Sequence, residues 1–416
     1  MHKNFLADLF HQAVAAADPA NAIAANLPPL PPGRTVVVGA GKAALSMYLA
    51  LQDCWPGPLS GILVTGNGQG VQLGNVEVLE AGHPLPDERG QLAARKIGQL
   101  ISGLGPDDLV IALISGGGSA MLPAPPDGLT LADEIALGQT LLASGAPISA
   151  MNTVRKHVST IKGGRLAAAT RARVHTLVVS DIPGDIASQV ASGPTLPDAS
   201  TRKDALDIVA RYALALPPAV KAHLLSPAAD APAPDDPVFA RHTHAVVASA
   251  QLSLVAASRR ALENGVEAMV LSDSLEGEAR EAGGFHAALT RQIRLHGEPA
   301  ASPIVLMSGG ETTVTLRGKG RGGRNGEFLL AWAIAMDGVE GVEAIAADTD
   351  GRDGSERNAG AFADSTTVQR LRDLGLDARE LLAQNDSYAA FSALGDLFDT
   401  GPTGTNVNDF RAIYIR

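Results

Sequence analysis

A single cysteine, Cys54, stands in 416 residues, which excludes an intrachain disulfide and any metal cage built on several thiolates. Aromatic residues make up only 4%, so the core has to be built from Ala, Leu, Val and Ile. No apolar run approaches the roughly 20 residues that a membrane-spanning helix needs. The opening Met1-His2-Lys3-Asn4-Phe5 lacks the charged start and uninterrupted apolar stretch of a secretory signal. Basic residues number 33 against 44 acidic ones, and the net charge of −11 argues against nucleic acid or an anionic membrane as partner. The expectation is a cytoplasmic protein. What is abundant is glycine (45) and proline (26) in a chain that is 45% hydrophobic, hence many tight loops in a length sufficient for two or three domains.

The glycines are not scattered. Leu109 to Ile114 is a six-residue apolar run, too short for an isolated helix, and reads as a strand buried on both faces. It runs into Ser115-Gly116-Gly117-Gly118-Ser119, where bare backbone N–H groups can turn toward an anion, with help from the N-terminus of a following helix. Ile304 to Met307 leads in the same way into Ser308-Gly309-Gly310-Glu311, and Val36 to Val38 into Gly39-Ala40-Gly41-Lys42. Strand, glycine turn and helix in alternation predict an α/β fold whose sites lie beyond the carboxyl ends of the strands. Residues 226–238, with four prolines and three aspartates, read as a linker. The boundary follows: 1–232 as an N-terminal domain and 233–416 as a second α/β domain, its first strands at 245–248, 267–271 and 304–307. Residues 313–316 and 318–326 read as a hairpin or loop before a helix from Glu327 to Ala335.

Gly39-Ala40-Gly41 invites a dinucleotide reading, but position 44 is Ala, and Thr65 rather than an acid ends the second strand. A P-loop fails too, because Val36 stands where its first glycine belongs. Lys42 is then either a solvated surface lysine or a point charge for phosphate. Gly318-Lys319-Gly320-Arg321-Gly322-Gly323-Arg324 interleaves glycines with cations and could wrap a polyanion, with Arg324 able to bond a phosphate or carboxylate bidentately. Asp348-Thr349-Asp350-Gly351-Arg352-Asp353 fails the EF-hand pattern but suits Mg²⁺, which takes one or two carboxylates beside phosphate oxygens and water. Asp181, after the strand Thr176 to Val179, and Glu311 are further candidates. No histidine spacing suits a metal. Glycine nests, basic loops and carboxylates together fit phosphoryl transfer.

The ordered motifs Ser115–Ala120, Ser159–Arg165, Ser180–Asp185 and Ser192–Thr195 resemble the first half of the class II D-glycerate 2-kinases. Gly309–Val314, Gly322–Asn325, Thr349–Gly354 and Thr400–Asp409 resemble its second half, the MOFRL domain. One departure is Gly326, where the family commonly has Gln, which would make that loop more flexible. The resemblance implies a Rossmann-like parallel sheet with helices on both faces, a MOFRL-type α/β domain, and an active site in the cleft between the two. It implies ATP-dependent phosphorylation of D-glycerate at the 2-hydroxyl with Mg²⁺. Lys42 and Arg324 match positions expected to act on the transferred phosphoryl group and the substrate carboxylate, with Asp181 orienting a hydroxyl or holding metal. Gly41, Ser115, Gly116, Gly117, Gly118, Ser119, Lys162, Glu311, Asn325, Asn406 and Asn408 become the expected binding residues, and Asp181, Asp350 and Asp353 the expected metal ligands. The expected partners are D-glycerate and ATP, with a homodimer as one assembly. The rival reading is an NAD(P)H-dependent hydroxypyruvate reductase, a label that members of this family have carried; a non-catalytic sensor is a third.

Overall fold

The computed structural model describes residues 3–416. The chain divides into two compact units, one of residues 19–182 and 186–247, the other of residues 3–18, 183–185 and 248–416.

The first unit holds a seven-stranded sheet: β1 (Thr35–Ala40), β2 (Leu59–Thr65), β3 (Val71–Leu73), β4 (Val76–Glu80), β5 (Leu109–Ser115), β6 (Arg173–Val179) and β7 (Thr243–Ala248), in the order β3-β4-β2-β1-β5-β6-β7. The pairs β4-β2, β2-β1, β1-β5 and β5-β6 are parallel, and β3 is an antiparallel edge, so the sheet is mixed rather than purely parallel. β1 and β5 are buried at every position, as their continuous apolar runs require. Val36, Val38, Val110 and Ala112 pack with Ala93, Ile97 and Ile101 of the helix Glu88–Ser102. The alternate set, Val37, Ile111 and Leu113, is equally buried, and the helix Ala44–Cys54 packs against β5 and β2. Successive strands run outward from β1 in one direction and then from β5 in the other. The order therefore reverses between β1 and β5, the place where open α/β sheets bind ligands.

The second unit holds a six-stranded sheet of β8 (Glu267–Leu275), β9 (Ile304–Gly310), β10 (Val342–Asp348), β11 (Gly360–Asp364), β12 (Leu397–Phe398) and β13 (Asp409–Ile415), in the order β12-β11-β10-β13-β9-β8. Only β8-β9 is parallel. Period-two alternation divides the core: Leu306, Ala344 and Ile413 meet Phe328 and Trp332, whereas Val305, Met307, Ile345 and Phe410 meet Leu6, Leu9 and Phe10. Each such side chain contributes about 1.5–3 kcal/mol by leaving water.

Three expectations change. The strand at 245–248 hydrogen-bonds into the first sheet, not the second. There Thr243 Oγ1 sits 2.7 Å from His175 Nδ1 on β6, so the units part at 247/248 rather than 232/233. Residues 226–238 are packed, not a free linker, because Arg165 donates to the carbonyls of Ala229 (2.9 Å) and Asp230 (3.1 Å). The helix Lys3–Ala16 belongs to the second unit: Ser253 Oγ donates to Ala13 O, and Phe10 stacks edge-on against Phe398 and Phe410. A local helical pattern cannot reveal that its partners lie some 240 residues away. Of the two readings of residues 313–323, hairpin or loop, the loop holds; it leads to a helix beginning at Arg324, three residues earlier than Glu327.

Candidate active site

In the first unit, three adjacent parallel strands end side by side, and each carries a candidate. Gly41 and Lys42 follow β1, Gly116 to Ser119 follow the end of β5 at Ser115, and Asp181 follows β6. The turns are laced together. Lys42 N–H donates to Gly116 O (2.9 Å), Gly41 N–H to Val64 O (3.1 Å), and Ala43 N–H to Ser115 Oγ (3.0 Å). At Gly41 φ is +127°, and a Cβ there would lie 2.3 Å from Ser115 Oγ and 2.4 Å from its carbonyl, so only glycine fits. Ser115 is thus a buried fastener of the neighbouring turn rather than a ligand group. A Cβ on Gly116 would fall on the Asp181 carboxylate and one on Gly117 against the His83 ring, which places both side chains over the glycine turn. The helix that follows, Gly118–Met121, is a single turn, too short to carry the expected dipole.

Lys42 is exposed and has no ion-pair partner among the described residues. Partial desolvation, with the charge of Lys42, holds the His83 imidazole below its ordinary pKa. Ser119 Oγ lies 2.8 Å from Ser192 Oγ, which donates to Asn152 Oδ1 (3.2 Å). Ala191, Ser192 and Gly193 have φ of 51°, 60° and 57°, three successive left-handed residues. For the two non-glycines that strain is worth about 1–3 kcal/mol each. Main-chain bonds hold it, from Gly163 N–H to Ser192 O (3.0 Å) and Gly164 N–H to Gly193 O (2.7 Å). Lys162 does not join the turns: it is buried and paired with Glu134 at 2.6 Å. His83, Asn152 and Ser192 reach these turns without being among the expected residues. Their motifs were visible, but nothing local tied them to the strand ends.

In the second unit, Arg324 occupies the middle of an acidic nest. Its Nε donates to Asp409 Oδ1 (2.8 Å), Nη2 to Asp348 Oδ2 (2.6 Å) and Nη1 to Glu311 Oε1 (3.1 Å). Asp348 and Asp409 face each other across the β10-β13 ladder, where like charges repel. Burial and the Asp409 charge push the Asp348 carboxyl up, against the pull of Arg324. Burial alone would lower the Arg324 pKa, but Asp409, Asp348 and Glu311 outweigh it and hold the guanidinium above its usual value. Asn325 Nδ2 also donates to Asp409 (2.8 Å), and the buried Arg411 ion-pairs with it. Arg324 is therefore not a free hook for a carboxylate: only its Nη1 meets a half-exposed partner, Glu311.

The glycine loop before it is no polyanion wrap. Gly318 and Gly320 take main-chain positions against residues 384–386, and a Cβ on Gly318 would come within 2.3–2.5 Å of the Gln384 backbone. Arg321 pairs with Glu356 and covers the Tyr388 ring at 4.5 Å. Gly326 lies inside the helix Arg324–Ala335, so it adds no loop flexibility.

Asp353 caps that helix, accepting from Asn325 N–H (2.9 Å) and Gly326 N–H (2.8 Å), which removes it from the metal candidates. Burial raises its pKa to about 6, against the lowering effect of those two N–H groups. The sign follows directly: between about pH 4 and 6 the folded state keeps a proton that the unfolded chain has lost. Stability from this group is full below pH 4 and falls by about 3 kcal/mol as pH rises to 6. Urea unfolding of the protein and of Asp353→Asn at pH 4.5 and 7 checks this; the variant should lack that part of the slope.

Asn406 Nδ2 reaches Asp350 Oδ2 (3.4 Å), Asn408 N–H donates to Asn406 Oδ1 (3.0 Å), and Asn408 O accepts from Thr349. Asn406, Asn408 and Asp350 thus form one cluster beside the nest. Among the described residues no group of three His, Cys, Asp or Glu side chains could hold a metal ion. No helix among them is long and apolar enough to cross a membrane.

Residues 5–225 match the family described as "Domain of unknown function (DUF4147)", and residues 304–409 match the MOFRL family. An Agrobacterium vitis protein named "Putative hydroxypyruvate reductase" is 51% identical, covering 99% of this chain and 94% of its own. The D-glycerate 2-kinase of Thermotoga maritima is 38% identical, covering 98% of this chain and 97% of its own. A crystal structure of glycerate kinase from the same organism superposes with a TM-score of 0.90 at 37% identity, covering 100% of this chain and 99% of that one. Matched in both segments and along its whole length, the chain belongs to the glycerate kinase family that joins DUF4147 to MOFRL.

Proposed function

We propose that this protein transfers the γ-phosphoryl group of ATP to the 2-hydroxyl of D-glycerate, giving 2-phosphoglycerate and ADP. The reading is supported by the family and by one observation above the rest: Lys42, the bare turn after β5 and Asp181 converge where the strand order reverses. Phosphoryl transfer needs little covalent help and much charge neutralisation and positioning. An exposed, unpaired lysine beside a glycine turn free of side chains provides the first. Asp181, over Gly116, provides the second by orienting the acceptor hydroxyl. Mg²⁺ fits this donor set: one carboxylate, Asp181, with phosphate oxygens and water completing its shell, so no three-carboxylate cage is required. When bound it would screen phosphate charge. Asp350, half-buried beside Asn406, is the corresponding candidate in the second unit. Arg324 keeps its guanidinium fixed by Asp348 and Asp409 and offers Nη1 once Glu311 gives way.

The Agrobacterium relative's name favours a reductase as the second reading. Against it, β2 ends in Thr65, buried and bonded to Gln69, where an adenine ribose would need an acid. Purified protein with D-glycerate and Mg-ATP should release ADP, with phosphorus NMR identifying 2-phosphoglycerate. NADH oxidation with hydroxypyruvate and no ADP release would reject the kinase reading.

A further inference from the structure

The stretch from Arg155 to Arg165 carries four cations, and three of them are accounted for. Lys156 pairs with Asp198 and Lys162 with Glu134, while Arg165 donates to the carbonyls of Lys156, Lys162, Ala229 and Asp230. Arg155 is the exception. It leaves the helix Ile148–Lys156 half-buried, and no carboxylate lies within ion-pair distance among the described residues. Its hydrogen bond is from Nη1 to a neutral acceptor, Asn152 Oδ1, at 3.2 Å. Burial acts against its charge, offset only by Glu134, which is itself committed to Lys162. A guanidinium stays charged in proteins, and holding one out of water without a counter-ion is costly unless a ligand supplies it.

We propose that Arg155 receives the carboxylate of the hydroxy-acid substrate and is the residue that discriminates an acid from an uncharged polyol. This assignment rests on the kinase reading and names the group that gives it specificity. The same Asn152 Oδ1 accepts from Ser192 Oγ, which meets Ser119 Oγ above the glycine turn. One end of this connected set is thus a planar cation with free donors; the other is a pair of hydroxyls. A two-oxygen anion carrying vicinal hydroxyls, a short sugar acid, matches both ends. The strained left-handed run at Ala191 to Gly193 keeps the Ser192 hydroxyl in that row. A nucleotide phosphate has its own partners in Lys42 and the glycine N–H groups.

Arg155→Ala and Arg155→Lys test the assignment. Steady-state kinetics would give KM for D-glycerate and for ATP, and competition would give the inhibition constant of glyceramide, the neutral amide of the substrate. Arg155→Ala should raise KM for glycerate by about tenfold to a hundredfold, the size of a lost charge-assisted bond. KM for ATP should stay unchanged, and the preference for glycerate over glyceramide should collapse. Arg155→Lys should fall between. Glycerate and glyceramide weakened equally would reduce Arg155 to a structural role, and a rise in KM for ATP instead would assign it to phosphate; either overturns the proposal. Should the unaltered protein release no ADP, the kinase reading fails separately. Calorimetric titration of glycerate into the protein and Arg155→Ala then still decides, since equal affinity rejects the carboxylate role.

Discussion

Lys42→Ala is expected to lower turnover of D-glycerate by about a hundredfold to a thousandfold, the range seen when one charge-stabilising donor is removed from a reacting group. Its urea midpoint should not move. The two expectations belong together. Lys42 is exposed and its ammonium has no ion-pair partner among the described residues, so nothing in the fold depends on the side chain. What the fold uses is its backbone N–H, bonded to Gly116 O, and alanine keeps that. Lys42→Arg should recover little, because a planar fork replaces a compact charge. A stable Lys42→Ala protein with turnover within tenfold of the original would remove Lys42 from the chemistry. His83 offers a second readout: without the lysine's charge, its pKa should rise, measurable by NMR titration.

Arg324→Ala should behave differently and lose stability first. The substitution leaves Asp348 without its cation opposite Asp409, which keeps Arg411 and Asn325; both carboxylates are nearly buried, and breaking a buried ion pair from one side costs about 3–5 kcal/mol. Urea unfolding would measure it. Pairing the change with Asp348→Asn removes the stranded charge and should return most of the loss. Turnover should stay down in the double variant by about a thousandfold, as expected for an arginine that stabilises a transferring phosphoryl group. Recovery of both stability and turnover would make Arg324 a scaffold for the nest alone. A single variant as stable as the original would contradict the burial argument itself.

Those two residues separate what is local in the sequence from what is not. Strands β1, β5 and β9 announce themselves as apolar runs closed by glycine, and the α/β order follows from their alternation with helices. Lys42 stayed legible because its setting is local, one residue beyond a strand and a turn. Arg324 stands out in the sequence as a residue but reads there as a free hook, since its partners at 348 and 409 meet it only once β10 and β13 pair. Lys162 was misjudged for the same reason, its carboxylate lying 28 residues back. Glycine is the harder ambiguity. At Gly116 to Gly118 it makes room for Asp181 and His83 over a turn at a sheet mouth; at Gly318 and Gly320 it lets one chain segment lie against another. The letters are identical, and only the neighbour distinguishes them. β7 was recognised as a strand, but period-two alternation carries no information about which sheet it will join.

The placement of the helix Lys3–Ala16 sets an order of assembly. A ribosome makes this helix well before the surfaces that cover Leu6, Leu9 and Phe10, which come from residues between 254 and 412. The first unit can close as soon as β7 emerges. That helix has to wait, apolar face uncovered, until β13 enters between β10 and β9. Such an interval exposes the nascent chain to chaperones and to self-association. An element made long before its partners is thus among the last to reach its final contacts, and the second unit cannot be complete before β13 has been made.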